Sequence, residues 1–208
     1  HPFGWKSEQK LDEARGRIAQ LIHADPKEII FTSGGTESCN LALKGVCEIY
    51  REKGDHLIVG STEHRAVMDA TRRLERSGFR VTTLPVDGQG VADLSALKKE
   101  ITDKTILISL MFGNHEIGTL HPVSEIGKIA KEKGVLFFCD AAAAQGYTPI
   151  DVEAMGIDLL ALSAHKIYGP KGMGALYVRK KNPRVRVAPI LDGGGAERGM
   201  RSGTLNVP

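Results

Sequence analysis

The sequence predicts an α/β protein in which a mainly parallel sheet is covered by helices on both faces. Short β-branched or apolar segments alternate along the chain with amphipathic segments of roughly a dozen residues. This alternation indicates crossover units, because parallel strands need a long connection that usually contains a helix. The length of 208 residues, of which 41% are hydrophobic, suits one large domain with its own core.

The individual elements follow from the spacing of apolar residues. The first helix is predicted over 7–22, because Leu11, Ala14 and Ile18 recur at helical spacing. The first strand is predicted over 28–32, where EIIFT is rich in β-branched and aromatic residues, and the SGGT turn ends it. The remaining helices are predicted over 37–50, 64–77, 94–101 and 123–133, the last closed by Gly134. The remaining strands are predicted over 57–60, 80–84, 105–111, 135–139, 159–162 and 175–178.

Charge and composition exclude several function classes. Lys and Arg number 28 against 25 Asp and Glu, and the net charge of +3 is too small to indicate nucleic-acid binding. No apolar run approaches the ~20 residues that cross a bilayer, and the first residues lack the pattern of a signal peptide. The three cysteines, Cys39, Cys47 and Cys139, form no C-x-x-C pair, which favours a reducing, cytoplasmic setting over a disulfide scaffold.

The turns after the strands are the candidate sites, because ligands of such sheets bind beyond the carboxyl ends of the strands. The turn SGGTES spans residues 33–38 and opens a predicted helix. Its glycines let the backbone approach a ligand, and the start of a helix favours an anion. The turn is therefore a candidate phosphate-binding loop, and a tight turn with a Thr cap is the alternative.

Two further strand ends carry a histidine and a carboxylate. His64 is placed to stack on an aromatic cofactor or to move protons near neutral pH, with a helix cap as the alternative. Asp140 follows the apolar run 135–139, where a carboxylate needs a partner. That partner is a cationic ring nitrogen, a metal or a helix N-terminus, and the lack of a second ligand nearby in the sequence argues against a metal. The alternative is that Asp140 is an N-cap of the alanines that follow it.

Lys166 lies in SAHKIYGPKG, directly after the predicted strand 159–162. A lysine held in a partly desolvated pocket can attack a carbonyl to form a Schiff base, whereas an average lysine is a solvated surface residue. The last candidate segment along the chain, residues 193–204, combines glycines with arginines. It either surrounds an anion or forms a flexible loop.

Taken together and in this order, these segments resemble the cysteine desulfurases of the NifS and IscS type, in the class-V aminotransferase group. The resemblance runs over the whole chain. It is closest in HPFGW, ADPKEIIFTSGGTES, TEH, NHEIGT, DAAAAQG, SAHKIYGPKG and GGGAERGMRSGT. The last two motifs are highly specific for the family.

The resemblance implies that residues 1–208 form the large domain of an aspartate aminotransferase-like fold that binds pyridoxal 5'-phosphate. The family's N-terminal segment and C-terminal small domain then lie outside this chain. Lys166 matches the lysine that holds the cofactor and moves the α-proton of the substrate, and His64 matches the catalytic histidine stacked on the ring. Asp140 matches the carboxylate paired with the ring nitrogen. The remaining implied cofactor contacts are Gly35, Thr36, Ser163 and His165 at the phosphate, His115 beside the ring, and Thr204 at the phosphate of a neighbouring subunit.

The activity implied by the resemblance is removal of sulfur from L-cysteine. The products are L-alanine and an enzyme persulfide, which serves iron–sulfur cluster assembly or another sulfur-transfer pathway. The implied partners are a second copy of the chain in a homodimer and a sulfur-acceptor or scaffold protein. The persulfide-forming cysteine belongs to the family's C-terminal domain, so the three cysteines of this chain are expected to be packing residues.

Two positions depart from the family pattern. The second Asn of NNEIG, which contacts the ring hydroxyl in the family, is His115, and the Gln expected at position 143 is Ala143. Gln145 lies two residues further on, where a different side of the turn is expected, so the role is not carried over to it. These departures keep two alternatives open: a relative acting on another amino acid, such as a selenocysteine lyase or an aminotransferase, and a non-catalytic domain.

Overall fold

A central sheet of seven strands organises the part of the chain that the computed structural model describes, residues 2–207 for the backbone and 4–207 for the side chains. The strands are β1 Ile29–Thr32, β2 His56–Gly60, β3 Arg80–Leu84, β4 Thr105–Ser109, β5 Leu136–Asp140, β6 Leu159–Ser163 and β7 Gly174–Val178. The helices are α1 Pro2–Leu21, α2 Gly35–Tyr50, α3 Arg65–Arg76, α4 Leu94–Glu100 and α5 Val123–Lys133. Short 3-10 helices span Pro26–Glu28, Ala164–Ile167 and Glu197–Gly199.

The strand order is β1-β7-β6-β5-β4-β2-β3. The pairs β6–β5, β5–β4, β4–β2 and β2–β3 are parallel, and β7 runs antiparallel to both of its neighbours. The predicted fold class, a mainly parallel sheet with helices on both faces, is therefore confirmed. The parallel strands all end at one edge of the sheet, and the turns that carry the candidate residues meet there.

Two apolar layers cover the two faces of the sheet. Ile29 and Phe137 point into the layer that packs against α1, α4 and α5. Ile30 and Phe138 point into the opposite layer, against α2 and α3. Neighbouring residues of a strand face opposite sides, and both sides are buried here. This is why the strands read as continuous apolar runs rather than as an alternating pattern.

The predicted elements agree with the structure to within two residues, except for the first helix. The first helix begins at Pro2 rather than at position 7, because a proline is tolerated in the first turn of a helix. The fourth strand ends at Ser109 rather than at 111. Leu110 and Phe112 still donate backbone hydrogen bonds to carbonyls of β5, at 3.2 and 2.9 Å, so the extended run continues past the strand.

The edge strand β1 is covered by the segment 193–204, which we call the strap. Within the strap, a carboxylate oxygen of Glu197 accepts a hydrogen bond from the Phe31 N–H at 2.7 Å. Both Glu197 oxygens also accept from Arg15 of α1, which in turn donates to the Ile29 carbonyl at 2.6 Å. The strap thus joins the first helix to the sheet. It also binds a backbone N–H of the edge strand β1, which would otherwise be free to pair with another chain.

Among the described helices, none combines the length and the apolar character that a bilayer crossing requires.

Candidate active site

A cavity of about 480 Å³ opens at the carboxyl edge of the sheet. Its walls come from the turns after β1, β2, β4, β5 and β6, as the rule for ligand binding in open α/β sheets predicts. The cavity is lined by every predicted site residue except Thr204: Gly35, Thr36, His64, His115, Asp140, Ser163, His165 and Lys166. Residues that are more than a hundred positions apart in the sequence therefore share one pocket.

The start of α2 forms one wall. Gly34 is its N-cap with φ of 146°, and no side chain caps the helix, so the alternative of a Thr cap is wrong. As the first residues of the helix, Gly35 and Thr36 have N–H groups without an intrahelical acceptor. A Cβ on Gly35 would lie 3.4 Å from the Cβ of Ser163 and 3.7 Å from that of Ala142, so it would fill this corner of the pocket, which the glycine leaves open.

The opposite wall follows β6. The Ser163 hydroxyl and the His165 Nδ1 are 2.9 Å apart and share a hydrogen bond. Lys166 lies on the 3-10 helix Ala164–Ile167 and lines the pocket together with Lys171. The sequence predicts a partly desolvated lysine, but Lys166 is exposed, because this short helix forms the rim of the pocket rather than its floor.

Two histidines form a third wall. The rings of His64 and His115 meet edge to face, with centroids 5.1 Å apart and an interplanar angle of 70°. His64 is the N-cap of α3, where its Nδ1 accepts a hydrogen bond from the Ala66 N–H at 3.1 Å. The cap therefore fixes the orientation of the His64 ring, and the ring still lines the pocket.

Asp140 provides the floor of the pocket. It is the last residue of β5 and is 6% exposed. Its carboxylate accepts hydrogen bonds from the Ala142 N–H at 3.0 Å and from the Cys39 thiol at 3.6 Å. Burial raises the pKa of Asp140 above its ordinary value, while the Ala142 hydrogen bond and the His64 imidazole act in the opposite direction. A cationic ligand above this carboxylate would be strongly favoured.

The three cysteines are free and buried. Burial raises the pKa of the Cys39 and Cys139 thiols, and Asp140 and Glu63 raise both further. Burial also raises the pKa of Cys47, to about 12. None of the three is thus a thiolate near neutral pH, and a thiol is a poor nucleophile. Their expected role in packing agrees with these positions.

Gln145 supports the pocket from behind instead of lining it. It is 1% exposed and makes two hydrogen bonds to the main chain of Ser163, donating to the carbonyl and accepting from the N–H, the latter at 3.1 Å. The pocket wall at this turn is formed by Ala142 and Ala143. The shift of two residues therefore places Gln145 against the end of β6 and outside the lining of the pocket.

The two arginines Arg198 and Arg201 of the strap bind groups of the protein itself, and the strap is not a loose loop. Arg201 donates to the Glu37 carboxylate at 2.8 Å, and Arg198 donates to the Lys27 and Ile29 carbonyls at 3.1 and 3.2 Å. Thr204 is exposed and lines an adjoining cavity, which shares Ser33 and Gly172 with the main pocket. Sequence reasoning could not foresee this result, because the partners of both arginines lie far away along the chain.

Three residues at the site were not singled out from the sequence: Glu63, Met111 and Lys171. Met111 and Lys171 line the pocket, and Glu63 is buried behind it. Lys171 stands in the GPKG turn, and Glu63 stands between a strand end and a helix cap, so both look like ordinary surface residues of a turn. The position of Glu63 next to His64 was an indication that it lies near the site, but the sequence did not indicate that its side chain is buried.

A comparison with models of known protein families identifies the family of this chain. The family model described as Aminotransferase class-V matches residues 1–206 of this chain. The chain belongs to the class-V aminotransferase family. The resemblance drawn from the motifs is thereby confirmed, and the class-V assignment agrees with the mainly parallel sheet.

Similar proteins extend this result. Cysteine desulfurase IscS of Rickettsia peacockii (strain Rustic) is 57% identical over 208 residues, which are 100% of this chain and 50% of that protein. A solved structure of a NifS-like protein matches with a TM-score of 0.95 at 39% identity, covering 100% of this class-V chain and 56% of the other. The solved structure of SspA in complex with cysteine matches with a TM-score of 0.95 at 40% identity. The match covers 100% of this chain and 59% of SspA. The chain spans about half the length of the curated relatives it matches.

Proposed function

We propose that residues 1–208 are the pyridoxal-phosphate-binding large domain of a cysteine desulfurase. The observation that carries the proposal is the meeting of Lys166, the buried Asp140 and the start of α2 in one pocket. The similar proteins support the reaction, because the IscS relatives are named cysteine desulfurases and one structural neighbour is a complex with cysteine.

The residues present fit the cofactor. The free N–H groups at the start of α2, with Thr36, Ser163 and His165, suit a phosphate, since a helix N-terminus attracts anions. The glycine at position 35 leaves the space that a side chain would take. Asp140 is a buried carboxylate that lacks a cationic partner among the described residues, and a protonated ring nitrogen would supply one.

Pyridoxal phosphate, when bound, supplies an electron sink for bond cleavage next to the amino group of the substrate. Lys166 would hold the aldehyde carbon through its Nζ and, once released, would move the proton at Cα of the substrate. Asp140 would keep the ring nitrogen charged, and His64 would support the ring from one side. His115 would take the place beside the ring hydroxyl that the family gives to an asparagine.

The sulfur acceptor of the reaction is not one of Cys39, Cys47 and Cys139. All three are buried with raised thiol pKa values. We therefore assign the cysteine that takes sulfur from L-cysteine, and leaves L-alanine, to a part of the protein beyond these residues. The greater length of the relatives supports this assignment.

The partners belong to the same proposal. We assign Thr204 to the phosphate of a second subunit in a homodimer, which its exposed position outside the main pocket supports. A sulfur-acceptor or scaffold protein would receive the persulfide sulfur for iron–sulfur cluster assembly or another sulfur-transfer pathway. The three unpaired cysteines support a reducing, cytoplasmic location.

A second candidate is a related class-V enzyme that acts on another amino acid. It is favoured by His115 and Ala143, which line the pocket where the family has Asn and Gln. A selenocysteine lyase and an aminotransferase both use the same cofactor and lysine. The substrate that reacts, rather than the cofactor, therefore distinguishes the candidates.

Binding of the cofactor and exchange of the α-hydrogen test the proposal. We expect the protein to take up pyridoxal phosphate saturably, with a visible absorption band, and then to exchange the α-hydrogen of L-cysteine for deuterium in heavy water. Exchange needs Lys166 but not the sulfur-accepting cysteine, so it reports on this domain alone. Faster exchange with selenocysteine, or formation of an α-keto acid from another amino acid, would favour the second candidate. A protein that stays colourless with excess cofactor would contradict both and leave a non-catalytic domain.

A further inference from the structure

Two hydrogen bonds fasten the loop after β2 to the loop after β4. The Glu63 Oε1 accepts from the Met111 N–H at 2.6 Å, and the Asn114 side-chain amide donates to the Thr62 carbonyl at 3.1 Å. We call this pair of hydrogen bonds the clasp. Glu63 directly precedes His64, and Asn114 directly precedes His115. Each pocket histidine therefore lies one residue from a point where the two loops are tied together.

Glu63 has an unusual environment for a carboxyl group. It is 7% exposed, and its Oε2 has no hydrogen-bond partner among the described side chains and main chain. The groups that interact electrostatically with it are Asp140 and Cys139 of β5 and Cys39 of α2. The imidazole of His64 follows it in the chain, with its Nδ1 bound to the Ala66 N–H. Neither oxygen of Glu63 forms an ion pair or a hydrogen bond with a cationic side chain among the described residues, so an ionised Glu63 would be poorly compensated.

The end of β2 is adapted to the Glu63 side chain. A Cβ on Gly60 would lie 2.8 Å from the Glu63 Oε1 and 2.7 Å from Leu110 Cδ2. Both distances are shorter than real Cβ contacts. The glycine at the end of β2 thus leaves the space into which the carboxyl group folds back over the strand to reach Met111. Glu63 thus packs closely against the end of β2 and binds the loop after β4.

We propose that Glu63 is a positioning residue, which as an uncharged acid fastens the loop that carries His64 to the loop that carries His115. Its effect on cofactor binding rests on the proposed function, whereas its role in fastening the loops does not.

The uncharged state of Glu63 also favours ionisation of Asp140 at the floor of the pocket. Two neighbouring carboxyl groups cannot both ionise without cost, because each raises the pKa of the other. Asp140 receives hydrogen bonds from Ala142 and Cys39, while Glu63 has a single donor, the Met111 N–H. Burial raises the pKa of Glu63 well above its ordinary value, and Asp140 raises it further. The negative charge therefore resides on Asp140, below the pocket.

Three variants test the inference: Glu63→Gln, Glu63→Leu and, as the matched control, Glu75→Gln on the exposed face of α3. Gln keeps an oxygen for the Met111 N–H and carries no charge, whereas Leu fills similar space and leaves that N–H without an acceptor. The first readout is NMR of the cofactor-free protein, with the Met111 amide and the imidazole signals of His64 and His115 followed. The second is the dissociation constant of pyridoxal phosphate.

We expect Glu63→Gln and Glu75→Gln to keep all three signals and to change the dissociation constant by no more than about twofold. Glu63→Leu should shift the Met111 amide and both imidazoles, and should weaken cofactor binding by about tenfold. Unchanged imidazole signals in Glu63→Leu would overturn the clasp. A wild-type protein that binds no pyridoxal phosphate would remove the proposed function but leave the NMR result standing.

The pH dependence of unfolding tests the uncharged state separately. A carboxyl group with a raised pKa in the folded protein contributes stability that is fully present below its unfolded pKa, near 4.5, and is lost as the pH rises through the folded value. The difference in unfolding free energy between wild type and Glu63→Gln should therefore fall as the pH rises above that point. A difference that stays constant up to neutral pH would mean that Glu63 is ionised, which would overturn this part of the inference.

Discussion

The Asp140→Asn variant of the cofactor-loaded protein should exchange the α-hydrogen of L-cysteine about 100- to 1,000-fold more slowly than the wild type. Asparagine has the shape of aspartate and can still accept a hydrogen bond from the Ala142 N–H. It carries no charge, so it cannot hold a proton on the nitrogen of the cofactor ring. The measurement is deuterium incorporation at Cα, followed by NMR at saturating pyridoxal phosphate.

Asp158→Asn is the matched control for this prediction. Asp158 is also a buried aspartate, 4% exposed, but it precedes β6 at the opposite edge of the sheet. It accepts from the Phe137 N–H at 2.8 Å and pairs with Arg179. Its substitution should lower the stability of the protein and leave the exchange rate of the folded protein close to that of the wild type. Equal losses of exchange in the two variants would contradict the role given to Asp140.

Arg15→Ala should lower the free energy of unfolding by about 3–5 kcal/mol. The Arg15 and Glu197 side chains are 8% and 2% exposed, and two hydrogen bonds of 2.8 and 2.7 Å join them. Removal of the arginine leaves Glu197 as a buried charge without its partner. It also removes a guanidinium that lies 4.6 Å from the centre of the Phe31 ring. Urea denaturation measures the loss.

Two further variants make this stability prediction specific. Arg15→Met combined with Glu197→Leu should recover part of the stability, because no buried charge then remains unpaired. Lys10→Ala breaks the exposed pair with Glu13 on the same helix and should leave the unfolding midpoint almost unchanged. If Arg15→Ala and Lys10→Ala had equal effects, the strap would not hold the first helix to the sheet as described.

The sheet was predictable because its signal is local. The strands are short apolar runs, and the helices repeat apolar residues at helical spacing, so both can be recognised within about a dozen positions. The turn at Gly35 and the carboxylate at Asp140 were predictable for a related reason, since each directly follows a strand. What the sequence does not contain is the order of the strands, which brings the turns after β1, β5 and β6 to one pocket.

The features that were missed all depend on contacts between distant segments. Glu63 reads as a polar turn residue until the structure buries it beside β5. The sequence makes Arg201 a candidate anion ligand, but in the structure its guanidinium binds the carboxylate of Glu37, 164 positions away. Lys166 was expected to be partly desolvated, but its position on a short rim helix leaves it exposed. Burial and pairing of this kind are tertiary properties, and spacing along the chain does not encode them.

The identity of the lysine that holds the cofactor tests the central claim most directly. Lys166 and Lys171 both line the pocket, so each serves as the control for the other. After loading with pyridoxal phosphate and reduction with borohydride, peptide mass spectrometry should find the cofactor on Lys166. Lys171→Ala should retain the modification, and Lys166→Ala should lose both the modification and the visible band. Stable attachment at Lys171 or at a surface lysine, with Lys166 unmodified, would contradict the account.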